Sequence, residues 1–330
     1  MGKSGEAPEV PGRNGAPDQT GLASRIARLT DGAQAVEAFV PGLTLHRWET
    51  PTEPTSYTLP PSLCLIAQGR KRVLLGEEAF VYDAHRFLMT SIDLPVVAQI
   101  IEATPQKPYL GLTLVLDFRL VAQLVLTLEA AHAKAASGGE ETRPGPDRPG
   151  PDRLGLDRLG MTVSTVPPPL LGAFERLLDL QDHPEDVAVL APLIKQEILY
   201  RLLLSDQGPR LRRMMSVESH GYQIARAIDW LKENYQAPFR VEDLARHAGL
   251  SPSAFHSHFR SMTAMSPLQF QKKLRLNEAR RLMLTQRLDA SSAALRVGYE
   301  SPSQFSREYR RLFGAPPARD VKTLIQDGAP

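Results

Sequence analysis

Two short segments near the C-terminal end of this 330-residue chain carry hydroxyl, imidazole and guanidinium groups at matched places. The first offers Ser253, His256, Ser257 and Arg260, and the second Ser303, Ser306, Arg307 and Arg310. Side chains of these types hydrogen-bond to base edges and phosphate oxygens of a nucleic acid, and a guanidinium can bridge O6 and N7 of guanine. Arg307 is therefore the first candidate for base readout. Other chemistry has less to stand on. His46 and His85 lie apart with no His-x-His pair, which a metal site on neighbouring strands would need. His132 and His183 stand in helical contexts without partners. Cys64, between Leu63 and Leu65, reads as a small buried hydrophobe; a redox or electrophile sensor would need an exposed thiolate. There is no Gly-x-Ser-x-Gly elbow, phosphate-binding loop or dinucleotide fingerprint. No catalytic residue, cofactor or metal is expected.

The elements that must hold the matched groups are written twice. Leu244 to Phe255 and Ala293 to Phe305 each give a helical segment with a small Ala, then Gly249 or Gly298, then Ser-Pro-Ser and a new amphipathic helix. Glycine permits the positive φ of a tight turn. Ser251 and Ser301 can accept from free N–H groups at the next helix start, and Pro252 and Pro302 suit the first helical position. Gln304 is placed to complete a capping box with Ser301. Phe255, Phe259 and Met262 form an apolar stripe on one helix, and Phe305, Tyr309 and Leu312 on the other. The matched polar groups are thereby left facing outward. This is the pattern of two helix-turn-helix units, the second helix of each being the one that enters a major groove. Two helical hairpins of an all-α bundle would share some of it. Between them, Pro267–Leu284 is long enough for one continuous helix. Such a rod would set the spacing of two readers along a duplex whose successive major-groove faces lie ~34 Å apart.

Charge follows the same division. Residues 217–325 hold 17 Lys/Arg against 10 Asp/Glu, whereas the rest of the chain holds 22 against 27. A basic end on a slightly acidic body suits a polyanion-binding module joined to a second unit. The length allows two domains with separate cores. One cysteine excludes an intramolecular disulfide, and no apolar run approaches the ~18 residues of a membrane span. A cytoplasmic protein with no membrane partner is expected.

Upstream, the period changes to that of strands. Leu63–Ala67, Val73–Leu75, Ala79–Tyr82, Arg86–Thr90, Val96–Ile101 and Tyr109–Leu116 are short apolar runs separated by turns. They predict a small antiparallel barrel or sandwich. Helical spacing returns over Asp117–Ala136, Pro169–Leu180, Val187–Leu204 and Ser219–Tyr235. The expected fold class is α+β multidomain: an N-terminal antiparallel β-barrel with flanking helices, then an all-α tandem helix-turn-helix. The expected boundaries are a disordered tail over 1–32, in which Leu22, Ile26 and Leu29 hint at a short helix, a strand-and-helix domain over 33–210, and a DNA-binding domain over 217–325. A low-complexity insertion of Pro-Gly-Pro-Asp-Arg type occupies 137–160.

Asp243-Leu244-Ala245, Gly249-Leu250-Ser251, Phe255, Phe259, Pro267-Leu268-Gln269-Phe270 and Arg275 to Arg280 together resemble the AraC/XylS family of transcriptional regulators. So do Val297-Gly298-Tyr299, Ser303 to Arg307 and Phe313-Gly314-Ala315-Pro316-Pro317. The likeness covers about 100 residues. Asp320 and Val321 depart from it: the family usually has an aromatic and then Arg there, so a phosphate contact or helix cap would be lost unless Arg319 substitutes. Pro61 to Ile66, Gln68 to Lys71, Asp93 to Val96, Lys107 to Leu110 and Leu190 to Leu203 are similar to the N-terminal domain of a subset of the same family. The resemblance implies a sequence-specific DNA-binding regulator with a cupin-like effector or dimerisation domain. Double-stranded DNA, a small-molecule effector, RNA polymerase and a second copy of the chain are the partners it implies. A cupin-fold metal-dependent enzyme with a helical appendage is the alternative.

Overall fold

The computed structural model describes residues 20–137, 160–216 and 219–326. Among the described residues ten strands form two antiparallel sheets. The larger runs β1 (Ala35–Glu37), β2 (Leu43–Trp48), β9 (Tyr109–Val115), β4 (Ser62–Gln68), β7 (Arg86–Thr90) and β10 (Met161–Thr165), in that spatial order. The smaller runs β3 (Thr55–Leu59), β8 (Leu94–Glu102), β5 (Arg70–Leu75) and β6 (Glu78–Asp83). The expected strands are there, but they do not close into one barrel. β6 and β7, adjacent in sequence, belong to different sheets, so the domain is a sandwich. The ladders that decide this, β2 on β9 and β5 on β8, join distant segments.

Burial explains the unbroken apolar runs of β4 and β9. One face of the larger sheet, with Leu43, Leu45, Leu63, Leu65, Phe87, Leu112 and Leu114, packs under helices α1 (Thr20–Leu29), α2 (Phe118–Ser137), α3 (Pro168–Asp179) and α4 (Pro184–Leu204). The opposite face, with Cys64, Ile66 and Leu88, meets Val73, Leu94, Val96 and Ile100 of the smaller sheet. A strand covered on both sides loses its alternation.

The expected tail is corrected at its end. Residues 1–19 lie outside the described residues, but Thr20–Leu29 is helical, with Leu22 and Ile26 fully buried. Arg25 donates to both carboxylate oxygens of Asp179 (2.6 and 2.9 Å), and Arg28 does the same to Asp182. The helix hinted at by Leu22, Ile26 and Leu29 is thus present, and the two arginines share its spacing. Most of the low-complexity stretch, residues 138–159, also lies outside the described residues.

Seven helices follow α5 (Gly208–Met215): α6 (His220–Asn234), α7 (Val241–Ala248), α8 (Pro252–Thr263), α9 (Pro267–Thr285), α10 (Ala290–Arg296), α11 (Pro302–Phe313) and α12 (Pro317–Gln326). One continuous set of buried side chains runs from the inter-sheet space into α6–α9, including Ile228, Leu244, Phe255, Phe259 and Phe270. A separate cluster, with Ala293, Val297, Phe305 and Tyr309, holds α10–α12 to the end of α9. Polar contacts fasten the shared part. Gly160 N–H donates to the Met262 carbonyl (2.7 Å), Lys232 pairs with Asp93 (2.8 Å), and Asn277 on α9 bonds to Ser56 and Thr58 on β3 (both 3.3 Å).

Candidate nucleic-acid interface

Each repeated segment folds into a helix, a tight turn and a second helix. Gly249 ends α7 in the left-handed region (φ +77°), and Leu250 N–H returns to the Ala245 carbonyl (3.0 Å). Gly298 does likewise after α10 (φ +87°), with Tyr299 N–H on the Ala294 carbonyl (2.9 Å). Ser251 then accepts from Ala254 N–H and Ser301 from Gln304 N–H, both at 3.3 Å. These are the helix starts the sequence dictated. One detail differs: the Gln304 side chain does not return to Ser301 but donates to Glu308 (3.2 Å), so that box is only half made. The complete capping box is at Ser266 and Gln269, which start α9.

Phe255 and Phe259 lie tilted against each other within α8 at 5.4 Å, and Phe259 meets Phe270 of α9 edge-on at 5.4 Å. In the second unit Tyr299, Phe305, Tyr309 and Phe313 form a chain of ring contacts. These stripes fix which face turns outward. Ser253, His256, Ser257 and Arg260 on α8, and Ser303, Arg307 and Arg310 on α11, are all exposed; Ser306 is half-buried. Among the described residues Arg260, Arg307 and Arg310 form no ion pair. Arg311, not singled out by the sequence reading, is exposed as well. Its place four residues after Arg307, itself four after Ser303, was the available signal.

The rod between the units is unbroken. At ~1.5 Å per residue, the 19 residues of α9 span about 28 Å, close to one turn of duplex. Arg275, halfway along it, donates to the carbonyls of Tyr235 (2.6 Å), Gln236 (3.0 Å) and Gly298 (3.0 Å). One guanidinium thus ties the end of α6 and the second turn to the rod. Glu308 plays the same part for α11. Burial alone would push its carboxyl up, but Lys272 (2.9 Å), Tyr299 hydroxyl (2.7 Å) and Gln304 hold it below the usual range.

Asp320, the position that departs from the family pattern, is buried. Arg280 donates to both its oxygens at 2.8 Å, and the Tyr309 hydroxyl donates at 2.7 Å. The residue closes α12 onto α9 and α11 instead of facing a ligand. Arg319 beside it is exposed.

The remaining sequence candidates scatter. His85 is exposed at the β6–β7 turn. His183 lies 3.9 Å from Glu185 at the start of α4. His46, on β2, faces the inter-sheet space with Nε2 3.2 Å from the Thr113 hydroxyl. Burial, and the charge on Lys71, push its pKa down to about 3. Cys64 is buried with its sulfur 3.7 Å from the same hydroxyl. Among the described residues no three His, Cys, Asp or Glu side chains gather as metal ligands, and no helix is long and apolar enough to cross a membrane.

Comparison with known proteins adds a second line of support. Residues 39–210 match the model of the AraC-type transcriptional regulator N-terminus, and residues 244–322 a helix-turn-helix domain. Over 152 residues the chain is 29% identical to the HTH-type transcriptional regulator ExsA of Pseudomonas aeruginosa, covering 46% of this chain and 54% of that protein. Over 98 residues it is 32% identical to the raffinose operon transcriptional regulatory protein RafR of Pediococcus pentosaceus, covering 30% and 35%. The chain thus spans about half the length, or less, of these relatives. A crystal structure of apo ToxT from Vibrio cholerae shares the fold, with a TM-score of 0.50 at 10% identity over 85% of this chain and 97% of that one.

Proposed function

The chain belongs to the AraC-type transcriptional regulators, and on that premise we propose that it reads two successive segments on one side of duplex DNA. The observation that carries this is the pairing of two helix-turn-helix units with exposed basic recognition helices on one unbroken rod. Ser253, His256, Ser257 and Arg260 face one groove segment; Ser303, Ser306, Arg307, Arg310 and Arg311 face the next. Arg307 reads bases, and the later arginines of α11 hold phosphates.

Residues 33–210 form the effector-sensing and dimerisation unit, and 217–325 the DNA-binding unit. A small molecule shifts the first between states that differ in how they hold the second. RNA polymerase and a second copy of the chain are its protein partners, and the cytoplasm, where the DNA is, its location. Genomic fragments retained by the purified full chain supply the operator; the same chain is then titrated against it over a series of salt concentrations. Affinity that falls steeply and linearly on a log–log plot is expected, since several phosphates shed counterions. A flat series, or no preference for the retained fragment over scrambled DNA, rejects the reading.

A further inference from the structure

The first recognition helix is finished by the sandwich as well as by its own unit. Gly160, where the chain enters β10, donates its N–H to the Met262 carbonyl in the last turn of α8 (2.7 Å). Its own carbonyl accepts from Ser91 N–H (2.9 Å). The last carbonyls of a helix have no helical partner, and here a sheet-domain amide serves one of them. No Cβ fits at Gly160: it would fall 2.6 Å from Ile92 Cγ1 and 3.2 Å from the Met262 carbonyl oxygen. The second point of contact is the β5–β6 turn. A Cβ added at Gly76 (φ +62°) would stand 2.9 Å from the Cβ of Ala264, which ends α8, and 3.0 Å from its carbonyl oxygen. Ala264 itself holds a left-handed φ of 57°, which an alanine keeps only where its surroundings impose it.

Around these two contacts the packing is of one kind. Met161 on β10, Met214 on α5, and Met262 and Met265 at the end of α8 are all buried in the cluster that runs from the sheets into α6–α9. Methionine is unbranched and re-packs readily, so the joint can tilt without opening. The second unit is held differently. β3 passes near α11, but among the described residues no hydrogen bond or ion pair joins a strand to α10, α11 or α12, and their core is a separate cluster.

We infer that Gly76 and Gly160 are positioning residues for DNA readout, forming a clamp by which the sandwich sets the angle of the first recognition helix and not of the second. The inference rests on the reading of α8 as a DNA-facing helix. At ~1.5 Å per residue the 12 residues of α8 span about 18 Å. A tilt of ~5° about the clamped end then moves the opposite end by ~1.5 Å, enough to break a hydrogen bond to a base. Ser253, His256 and Ser257 lie toward that opposite end. A movement of β10 or of the β5–β6 turn is passed to the first groove segment and not to the next.

The test uses the full chain and the retained operator, intact or with one half scrambled, the second half being the one that Arg307→Ala weakens. Selectivity for a half is the ratio of affinities with that half intact and scrambled. The variants are Gly160→Ala and Gly76→Asn; asparagine tolerates a left-handed φ, so the second adds chiefly the contact with Ala264. Each lowers selectivity for the first half about tenfold or more and changes that for the second by less than about twofold. A measurement on the wild type needs no variant. Coupling is reciprocal, so DNA with only the first half intact alters hydrogen exchange in the peptides carrying Gly76 and Gly160, and DNA with only the second half intact does not. Where a variant fails to reach the wild-type circular dichroism, the exchange result decides. Equal loss of selectivity at both halves, no loss at the first, or exchange that responds to neither half or to both alike overturns the clamp. Retention of the intact operator by the wild type, measured in parallel, reports on the regulator reading by itself.

Discussion

At the scale of single residues the two turn glycines look alike and are not. Both sit at positive φ, but an added Cβ at Gly249 meets nothing within 4 Å, whereas at Gly298 it falls 2.1 Å from the Gln236 carbonyl oxygen. Gly249→Ala should therefore cost only the left-handed backbone, about 1 kcal/mol. Gly298→Ala must also push backbone aside and should cost at least ~2 kcal/mol more. Urea unfolding of the two variants gives the comparison, and equal losses would refute it. Arg307→Ala should reduce preference for the operator over a single-base variant by ~1–3 kcal/mol, measured as a ratio of affinities at fixed salt; an unchanged ratio removes Arg307 from base readout. His46 gives a pH dependence. Its pKa in the folded chain, about 3, lies below the ordinary 6.5, so the unfolded chain binds the extra proton. Its contribution is complete above 6.5 and drains away as pH falls toward 3, at no more than ~1.4 kcal/mol per pH unit. His46→Gln should flatten the urea midpoint between pH 6.5 and 4.5 relative to wild type.

At the scale of elements, Asp320 shows how one polar group can fasten three helices. The side chains of Arg280 and Asp320 are only 12% and 10% exposed, and the Arg280 guanidinium lies 4.4 Å from the centre of the Phe313 ring. Asp320→Ala leaves a buried guanidinium unpaired, which by comparable cases costs about 3–5 kcal/mol. The second helix-turn-helix should lose amide protection while the first keeps it, as hydrogen exchange would report. The rod is open to a sharper test. Ala279→Pro removes a helical hydrogen bond and kinks α9, at ~3 kcal/mol or more. Binding to a two-segment operator should suffer far more than binding to the first half alone, because the spacing is lost in addition to the packing that Ala279 gives the second unit. Equal losses on the whole site and on the first half would show that α9 does not set that spacing.

For the whole molecule, the continuous core from the sandwich into α6–α9 should make these parts unfold as one body, with α10–α12 a smaller one. Ile66→Ala, deep between the sheets, should lower the protection of α6–α9 along with that of the strands. Little of this arrangement was legible beforehand. Gly-x-Ser-Pro turns, aromatic stripes and the basic surplus are local features, each fixed within a dozen residues, and they gave both helix-turn-helix units and the outward set from Ser253 to Arg310. The helix α1 was half-visible, since a ten-residue amphipathic segment has no partner within reach of its own sequence. The inward place of Lys71 could not be read at all: a lysine between two arginines on a strand looks like a solvated edge until register shows which of the three faces inward. By itself the chain determined its family, its repeated DNA-reading unit and the helices that carry it, because caps, turns and periodicity act between near neighbours. Only the tertiary structure decided that two sheets stay open, that strand β3 touches the rod and that Lys71 turns in between the sheets. Those outcomes depend on pairings such as β2 with β9 and Ser56 with Asn277, far apart along the chain and joined only when it folds.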